Sequence, residues 1–223
     1  SNTIGHTRFE TVCNVWFSQV STLGDITVKL SGVDGYPNGY TFQAISKTVL
    51  GTEGYKAIAD MMNGVSDKTG IKAKVNNVQV FTAGVSAGDI KDLMINGVRI
   101  GNITAKTNDS DNALIGAINA KKDETGVEAS LDNGRLVLAA KDGRAIRIGT
   151  ISDSHKYLGG DLVGASAQSG QGAASLGVVL LGQITFVRQD ARDIKVGLNG
   201  MSAISGMSAA AITEASIASV TYN

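Results

Sequence analysis

Apolar and polar residues alternate in several short runs of this chain. Ile26, Val28 and Leu30 are spaced by Thr27 and Lys29, the period-two rhythm of a strand with one buried face. Asn38-Gly39 then leads into residues 40–45, and the spacing predicts a hairpin. The same pattern recurs further on. Residues 93–100 turn on Asn96-Gly97, and Val127, Ala129 and Leu131 alternate with polar residues before Asn133-Gly134. Leu136 and Leu138 carry the alternation past that turn, and Asp142-Gly143 turns again into residues 144–148. A helical period stands between these strands. Leu114, Ala117, Ile118 and Lys121 fall at helical spacing behind Asp109 or Ser110, either of which is a good N-cap. The apolar stripe is narrow, so this helix is expected to lie on a sheet. Gly126 suits the positive-φ residue that follows a helix. The unit reads as a short helix laid on a β-meander.

That unit occurs twice. Residues 55–75 resemble residues 111–131, and Gly70 stands 56 positions before Gly126. The same offset pairs Ala57 with Ala113, Asn63 with Asn119, Asp67 with Asp123, Thr69 with Thr125 and Ala73 with Ala129. Apolar positions agree in character: Ile58 with Leu114, Met62 with Ile118, Ile71 with Val127, Val75 with Leu131. Duplication of one supersecondary unit is the simplest account. A third, partial echo relates residues 134–148 to 182–196, with the hairpin but no helix before it. Gly70, Gly126, Gly134 and Gly182 read as structural turn residues.

Residues 149–178 are rich in Gly, Ser and Ala and read as a loop. The tail 202–219 is similar in composition, although Met207, Ala211, Glu214 and Ala215 would permit a helix. The expected class is α+β and β-rich: two small domains of antiparallel β-meanders or hairpins, each carrying a short helix on its sheet. The expected divisions are 1–86 for the first unit, 87–148 for the second and 149–178 for the loop. Residues 179–223 form a returning hairpin and tail, expected to pack with the first domain.

Composition narrows the function classes. The 223 residues include 28 glycines and one proline, against about 16 glycines at average usage, so turns rely on glycine's freedom at positive φ. With 43% hydrophobic and only 5% aromatic residues, the core is built from Val, Ile, Leu and Ala. Lysine plus arginine total 20 and aspartate plus glutamate total 20, so no basic excess is available to neutralise a phosphate backbone and nucleic acid is not an expected partner. No run of 18 apolar residues exists, so no membrane-spanning helix is expected. Ser1-Asn2-Thr3-Ile4-Gly5-His6 has no initiator methionine, basic region or apolar core of a leader, and reads as an excised piece or processed product.

Candidate chemistry is sparse, and no catalytic, cofactor-binding or metal site is expected. Gly170-Gln-Gly172-Ala-Ala-Ser175 lacks the third glycine of a dinucleotide fingerprint and the lysine of a P-loop. Neither G-x-S-x-G nor H-E-x-x-H occurs. Residues 108–112 resemble the start of a calcium loop but lack its sixth-position glycine and twelfth-position acid, so helix capping is the preferred reading. His6 falls in an expected edge strand and His155 in the loop; neither has ligand spacing. Cys13 excludes an internal disulfide and reads as a small buried hydrophobe, with Trp16 and Phe17 as packing residues. Asp142/Arg144 and Asp190/Arg192 recur at matching positions, which points to turn architecture and local ion pairs of small energetic value. Asn102-Ile-Thr104 and Asn108-Asp-Ser110 are sequons, weak as signals because such triplets arise by chance.

Several of these segments together resemble a known family. Residues 4–11, Asp67-Lys-Thr-Gly-Ile71, Glu124-Thr-Gly-Val-Glu-Ala129 and Ile95-Asn-Gly-Val-Arg-Ile-Gly101 look like the central region of bacterial flagellins of the Campylobacter and Helicobacter lineage. Residues 133–146 and 192–195 fit the same pattern, and residues 12–20 and most of 149–178 depart from it. The resemblance implies the surface-exposed outer domains of a filament subunit, carrying IN-type repeats, located outside the cell and exported without a cleaved signal peptide. It implies other flagellin subunits as partners, through terminal helices that this sequence does not contain, so the piece is expected to be monomeric or weakly associating. In the family, outer-domain Ser and Thr carry O-linked nonulosonic-acid sugars. Ser205, Ser208, Thr213, Ser216 and Ser219 match the region where that happens. A flagellar cap or hook-associated protein shares the Ile-Asn-Gly-type repeat and is the nearest alternative. A secreted glycan-binding module or adhesin is the alternative from another class, and an enzyme the weakest.

Overall fold

A computed structural model describes residues 7–17, 24–160, 178–190, 192–200 and 216–222. Strands β1 (Thr7–Phe17), β2 (Thr27–Ser31) and β3 (Tyr40–Thr41) come first, then helices α1 (Lys47–Glu53), α2 (Tyr55–Gly64) and α3 (Ser66–Thr69). The long β4 (Ile71–Gly84) follows, and then the hairpin β5 (Gly88–Ile95) and β6 (Val98–Ala105). Helices α4 (Ala113–Asn119) and α5 (Lys122–Thr125) lead into β7 (Val127–Asp132), β8 (Arg135–Ala140) and β9 (Ile146–Gly149). The last elements are β10 (Val178–Leu180), β11 (Gly182–Arg188), β12 (Lys195–Asn199) and β13 (Ser216–Tyr222). They form three antiparallel sheets, ordered β13-β1-β11-β4-β8-β7, β10-β9-β5-β6 and β12-β2-β3. The class is β-rich α+β, as the alternating runs predict.

Two apolar cores are built on this frame. Ile58, Met62 and Leu50 pack with Ile71, Phe186 and Leu198 in the first. Leu114 and Ile118 pack with Ile90, Leu93, Val127 and Leu138 in the second. β4 serves both: residues 71–76 pair with β11, and residues 77–80 and 84 pair with β8.

The pairing exposes the logic of the three echoes. The second unit runs hairpin β5–β6, helices α4–α5, paired strands β7 and β8, then β9, which returns to β5. The first unit has the same plan: hairpin β2–β3, helices α2–α3, paired strands β4 and β11, then β12, which returns to β2. The second unit therefore sits in sequence between β4 and β11 of the first. Residues 182–196 lack a preceding helix because they complete a unit whose helix lies far upstream.

Five local expectations change. The turns at Asp142 and Asp190 are corners between sheets rather than hairpin turns, since β8 does not pair with β9, nor β11 with β12. In each, Asp Oδ1 accepts from the Arg N–H two residues on, at 3.1 Å; that bond bends the chain but does not choose a strand partner. Gly182 likewise stands where β10 in one sheet gives way to β11 in another. β1 is not an edge strand, because β13 pairs along its outer side. Residues 216–222 of the tail are that strand, and Met207, Ala211, Glu214 and Ala215, which would permit a helix, lie outside the described residues. Within the expected loop, a 3₁₀ turn spans Ser154–Leu158 and buries Leu158 in the second core; residues 161–177 lie outside the described residues.

Candidate functional site

The repeated residues converge on one construction, a helix-to-strand junction made twice. In the first, Asn63 Nδ2 donates to Ala73 O at 2.8 Å and Asn63 Oδ1 accepts from Ala73 N at 2.8 Å. In the second, Asn119 Nδ2 donates to Ala129 O at 2.9 Å and its Oδ1 accepts from Ala129 N at 2.7 Å. Each amide stands in for a neighbouring strand. β7 is a sheet edge, and residues 71–76 of β4 have β11 on one side only. The asparagines occupy backbone groups that would otherwise template another chain. Thr69 and Thr125, both buried, accept from the N–H of Ile71 at 3.2 Å and Val127 at 3.0 Å. Gly70 and Gly126 close the helices at φ +73 and +75, the left-handed position glycine occupies without strain. Asp67 and Asp123 stand in the first turns of α3 and α5, where negative charge suits the unpaired N–H groups.

The second helix is capped from a distance. Asn112, in the left-handed region, precedes Ala113 without a side-chain bond. Asp109, fully buried, supplies the cap: its carboxylate accepts from Leu114 N at 2.9 Å and Ile115 N at 3.0 Å. Ser110, the other candidate, is exposed.

Charge is spent on corners. Arg188 is buried, donates to Asp193 O and Gly32 O at 2.8 Å each, and keeps Nε 2.9 Å from Asp190 Oδ1. Arg192 forks onto both oxygens of Asp34 at 2.9 and 3.1 Å and donates to Asp190 Oδ2 at 2.7 Å. The hydrogen bonds and charge of Arg192 hold the Asp34 carboxyl below its ordinary value. Burial pushes Asp190 upward, but hydrogen bonds from Arg192 outweigh it and the carboxyl also sits low. Asp142 behaves alike, its burial outweighed by bonds from Arg144.

The residues singled out for chemistry do not assemble. Cys13 lies in β1 opposite Phe186, and Trp16 and Phe17 lie opposite Gln183 and Gly182. His6 lies outside the described residues, and His155 lies in the 3₁₀ turn. Among the described residues, no group of three or more His, Cys, Asp or Glu is placed to hold a metal ion, and no helix is long and apolar enough to cross a membrane. Ser205, Ser208 and Thr213 lie outside the described residues, and Ser216 and Ser219 fall in β13 opposite Val12 and Glu10. Gly134 takes φ +78 in the β7–β8 hairpin, and Gly182 takes φ +82. Of the sequon asparagines, Asn102 accepts from Asp92 N at 2.8 Å, and Asn108 adopts φ +58 in a 3₁₀ turn.

A cleft of about 360 Å³ is lined by Asp89, Lys91, Ser154 and Tyr157. Two of its polar side chains are bonded within the fold: Ser154 Oγ donates to Ile151 O at 2.9 Å and accepts from Lys91 N at 3.0 Å. Asp89 accepts from Thr104 Oγ1 at 3.1 Å.

Comparison with known proteins gives this scaffold its relatives. The family model described as Flagellin hook IN motif matches residues 92–142, from the bulge of β5 to the corner after β8. Over 225 residues the chain is 32% identical to Flagellin A of Helicobacter pylori, a match covering all of this chain and 42% of that protein. Flagellin B of Helicobacter pylori is 32% identical over 96% of the chain and 41% of its own length. Flagellin A of Helicobacter mustelae is 37% identical over 87% of the chain and 39% of its own length. Along its whole length the chain is thus similar to flagellins of the Helicobacter type. It spans about two fifths of the length of these relatives. The matched motif contains α4, α5 and the Asn119–Ala129 junction, so the IN motif falls within the inserted unit of the nested pair.

Proposed function

We propose that the chain is part of a structural subunit of the bacterial flagellar filament, the part exposed on the filament's outer surface, and that it carries no enzymatic activity. The observation that carries this reading is similarity along the whole chain to flagellins A and B. The fold agrees with it: polar and charged side chains close turns, cap helices and block edges. The proposed divisions are a first unit of 1–86 completed by 179–223 and a second unit of 87–148; the two cores support this reading, with Phe81 and Val85 packed in the second core and Ala145 in the first. Partners on this reading are other flagellin subunits, engaged through sequence beyond the residues here, and the location is extracellular.

Ser205, Ser208, Thr213, Ser216 and Ser219 are the proposed O-glycosylation positions, on the family resemblance and the Ser-rich tail. An antibody raised against this chain tests the main reading on intact flagella from the source organism. Decoration along the filament's length supports an exposed filament subunit. Labelling confined to the tip or the hook junction would assign the chain to a cap or hook-associated protein instead. Intact mass of the protein from its native source tests the modification: excess in sugar-sized steps supports it, and an unmodified mass removes those five positions.

A further inference from the structure

Among the described residues three passages of the chain meet at the boundary between the two cores: β4 crosses it at Asn76–Asn77, the step from β10 to β11 crosses it at Leu180–Gly182, and the corner between β8 and β9 reaches it at Arg144–Ala145. One buried side chain touches all three passages. Asn77 is 1% exposed; it belongs to β4, and its Nδ2 donates to Arg144 O at 2.8 Å and to Leu180 O at 3.0 Å. Its Oδ1 accepts from Gln79 Nε2 at 2.7 Å. The backbone around it leaves no slack: a Cβ on Gly182 would stand 2.6 Å from Asn76 O.

The apolar residues beside Asn77 alternate between the cores. Val179 and Leu181 belong to the first, Val178 and Leu180 to the second. Ala145 and Ile146 divide in the same way. β10 is thus a wall shared by both.

We propose that Asn77, with the three passages it joins and the shared wall of β10, is a latch that makes the two cores unfold as one cooperative unit. Opening the second core strips apolar cover from one side of β10 and pulls Leu180 and Arg144 away from Asn77. The buried Asn77 amide is then left without its two acceptors, and the carbonyls of Arg144 and Leu180 lose that donor. Unmet buried hydrogen bonds are costly in a low-dielectric interior, so partial opening is penalised and the first core opens with the second.

Hydrogen exchange of the whole chain, read by mass spectrometry on peptides from α2 and α4, tests this. Leu114→Ala places a cavity in the second core alone, since Leu114 is buried there. With the latch intact, exchange in α2 and α4 is expected to rise by a common factor, on the order of a hundredfold. In an Asn77→Ala background the same cavity is expected to accelerate α4 while α2 stays unchanged. If α2 ignores Leu114→Ala while Asn77 is present, the proposal is overturned. It is overturned equally if α2 still shares the full factor after Asn77 is replaced. Should Asn77→Ala leave no folded chain, Gln79→Ala reads the same coupling by removing the donor to Asn77 Oδ1. There the α2 factor is expected to fall below the α4 factor, and equality removes Asn77 from the mechanism.

Discussion

Alanine at Gly126 and at Gly70 separates two costs that the repeat holds together. Both glycines close a helix in the left-handed region, at φ +75 and +73, so an L side chain at either carries the same backbone strain of about 1–2 kcal/mol. At Gly70 a new methyl meets nothing within 4 Å, and strain is the whole cost. At Gly126 the methyl falls against the Arg144 guanidinium. Arg144 must swing aside, which breaks its 3.3 Å bond to Thr125 O and loosens its 2.8 Å pair with Asp142. Thr125 O keeps another donor, Asn96 Nδ2 at 2.8 Å, so no carbonyl is orphaned. The excess is therefore one modest hydrogen bond, about 0.5–1.5 kcal/mol, plus at most about 1 kcal/mol from a half-exposed ion pair. Urea unfolding of Gly70→Ala, Gly126→Ala, Arg144→Ala and the Gly126/Arg144 double variant measures it. Gly126→Ala is expected to lose more than Gly70→Ala, and the difference is expected to vanish without Arg144. Equal losses at the two glycines, or an excess that survives Arg144→Ala, would refute the reasoning.

Asn63→Ala and Asn119→Ala each remove two hydrogen bonds from strand backbone, with an expected cost of about 1–3 kcal/mol apiece in urea; a near-neutral result at either would show that water replaces the amide. The depressed carboxyls give a pH dependence. A folded value below the ordinary 3.8 means that Asp34 and Asp190 contribute stability above that pH and lose it as pH falls through the folded value. Arg192→Gln is expected to flatten this acid limb while leaving its neutral-pH form folded, and unchanged slopes of urea midpoint against pH would remove Arg192 as the cause. Val78 and Val80, 48% and 47% exposed, are expected to tolerate threonine within about 0.5 kcal/mol. A larger loss in either variant's melting curve would show that something covers them in solution.

Much of the fold is legible in the sequence because its determinants are local. Asn96-Gly97 and Asn133-Gly134 lie at the turns of hairpins, and the repeat is legible because Asn63, Thr69 and Gly70 have the same bonds and dihedrals as Asn119, Thr125 and Gly126. What escapes is partner choice. Asp142 and Asp190 bend the chain by a bond spanning two residues, whereas the pairing of Ile148 with Ile95 of β5 and of Ile146 with Leu180 of β10 depends on residues far away in sequence. The buried polar residues escape for a related reason. Asparagine and arginine are mostly exposed residue types, yet a signal exists for Asn77 and Arg188: Arg188 shares the period-two face of Ile184 and Phe186, and Asn77 that of Ile71 and Ala73. A polar residue continuing an apolar face marks a place where strands change company.

Nesting one unit inside the other has a consequence for time. The inserted unit is contiguous, so its strands meet across short separations and its loops close early. The outer unit must wait, since β4 cannot find β11 until the intervening chain has been made; Asn77 and Leu180 are 103 residues apart. Loop-closure entropy grows only slowly with length, so once the inner unit has compacted that span, completing the outer one becomes a short search. A chain that melts as one body can thus be born in two stages, inner unit first, with β4 carrying the finished half into the second.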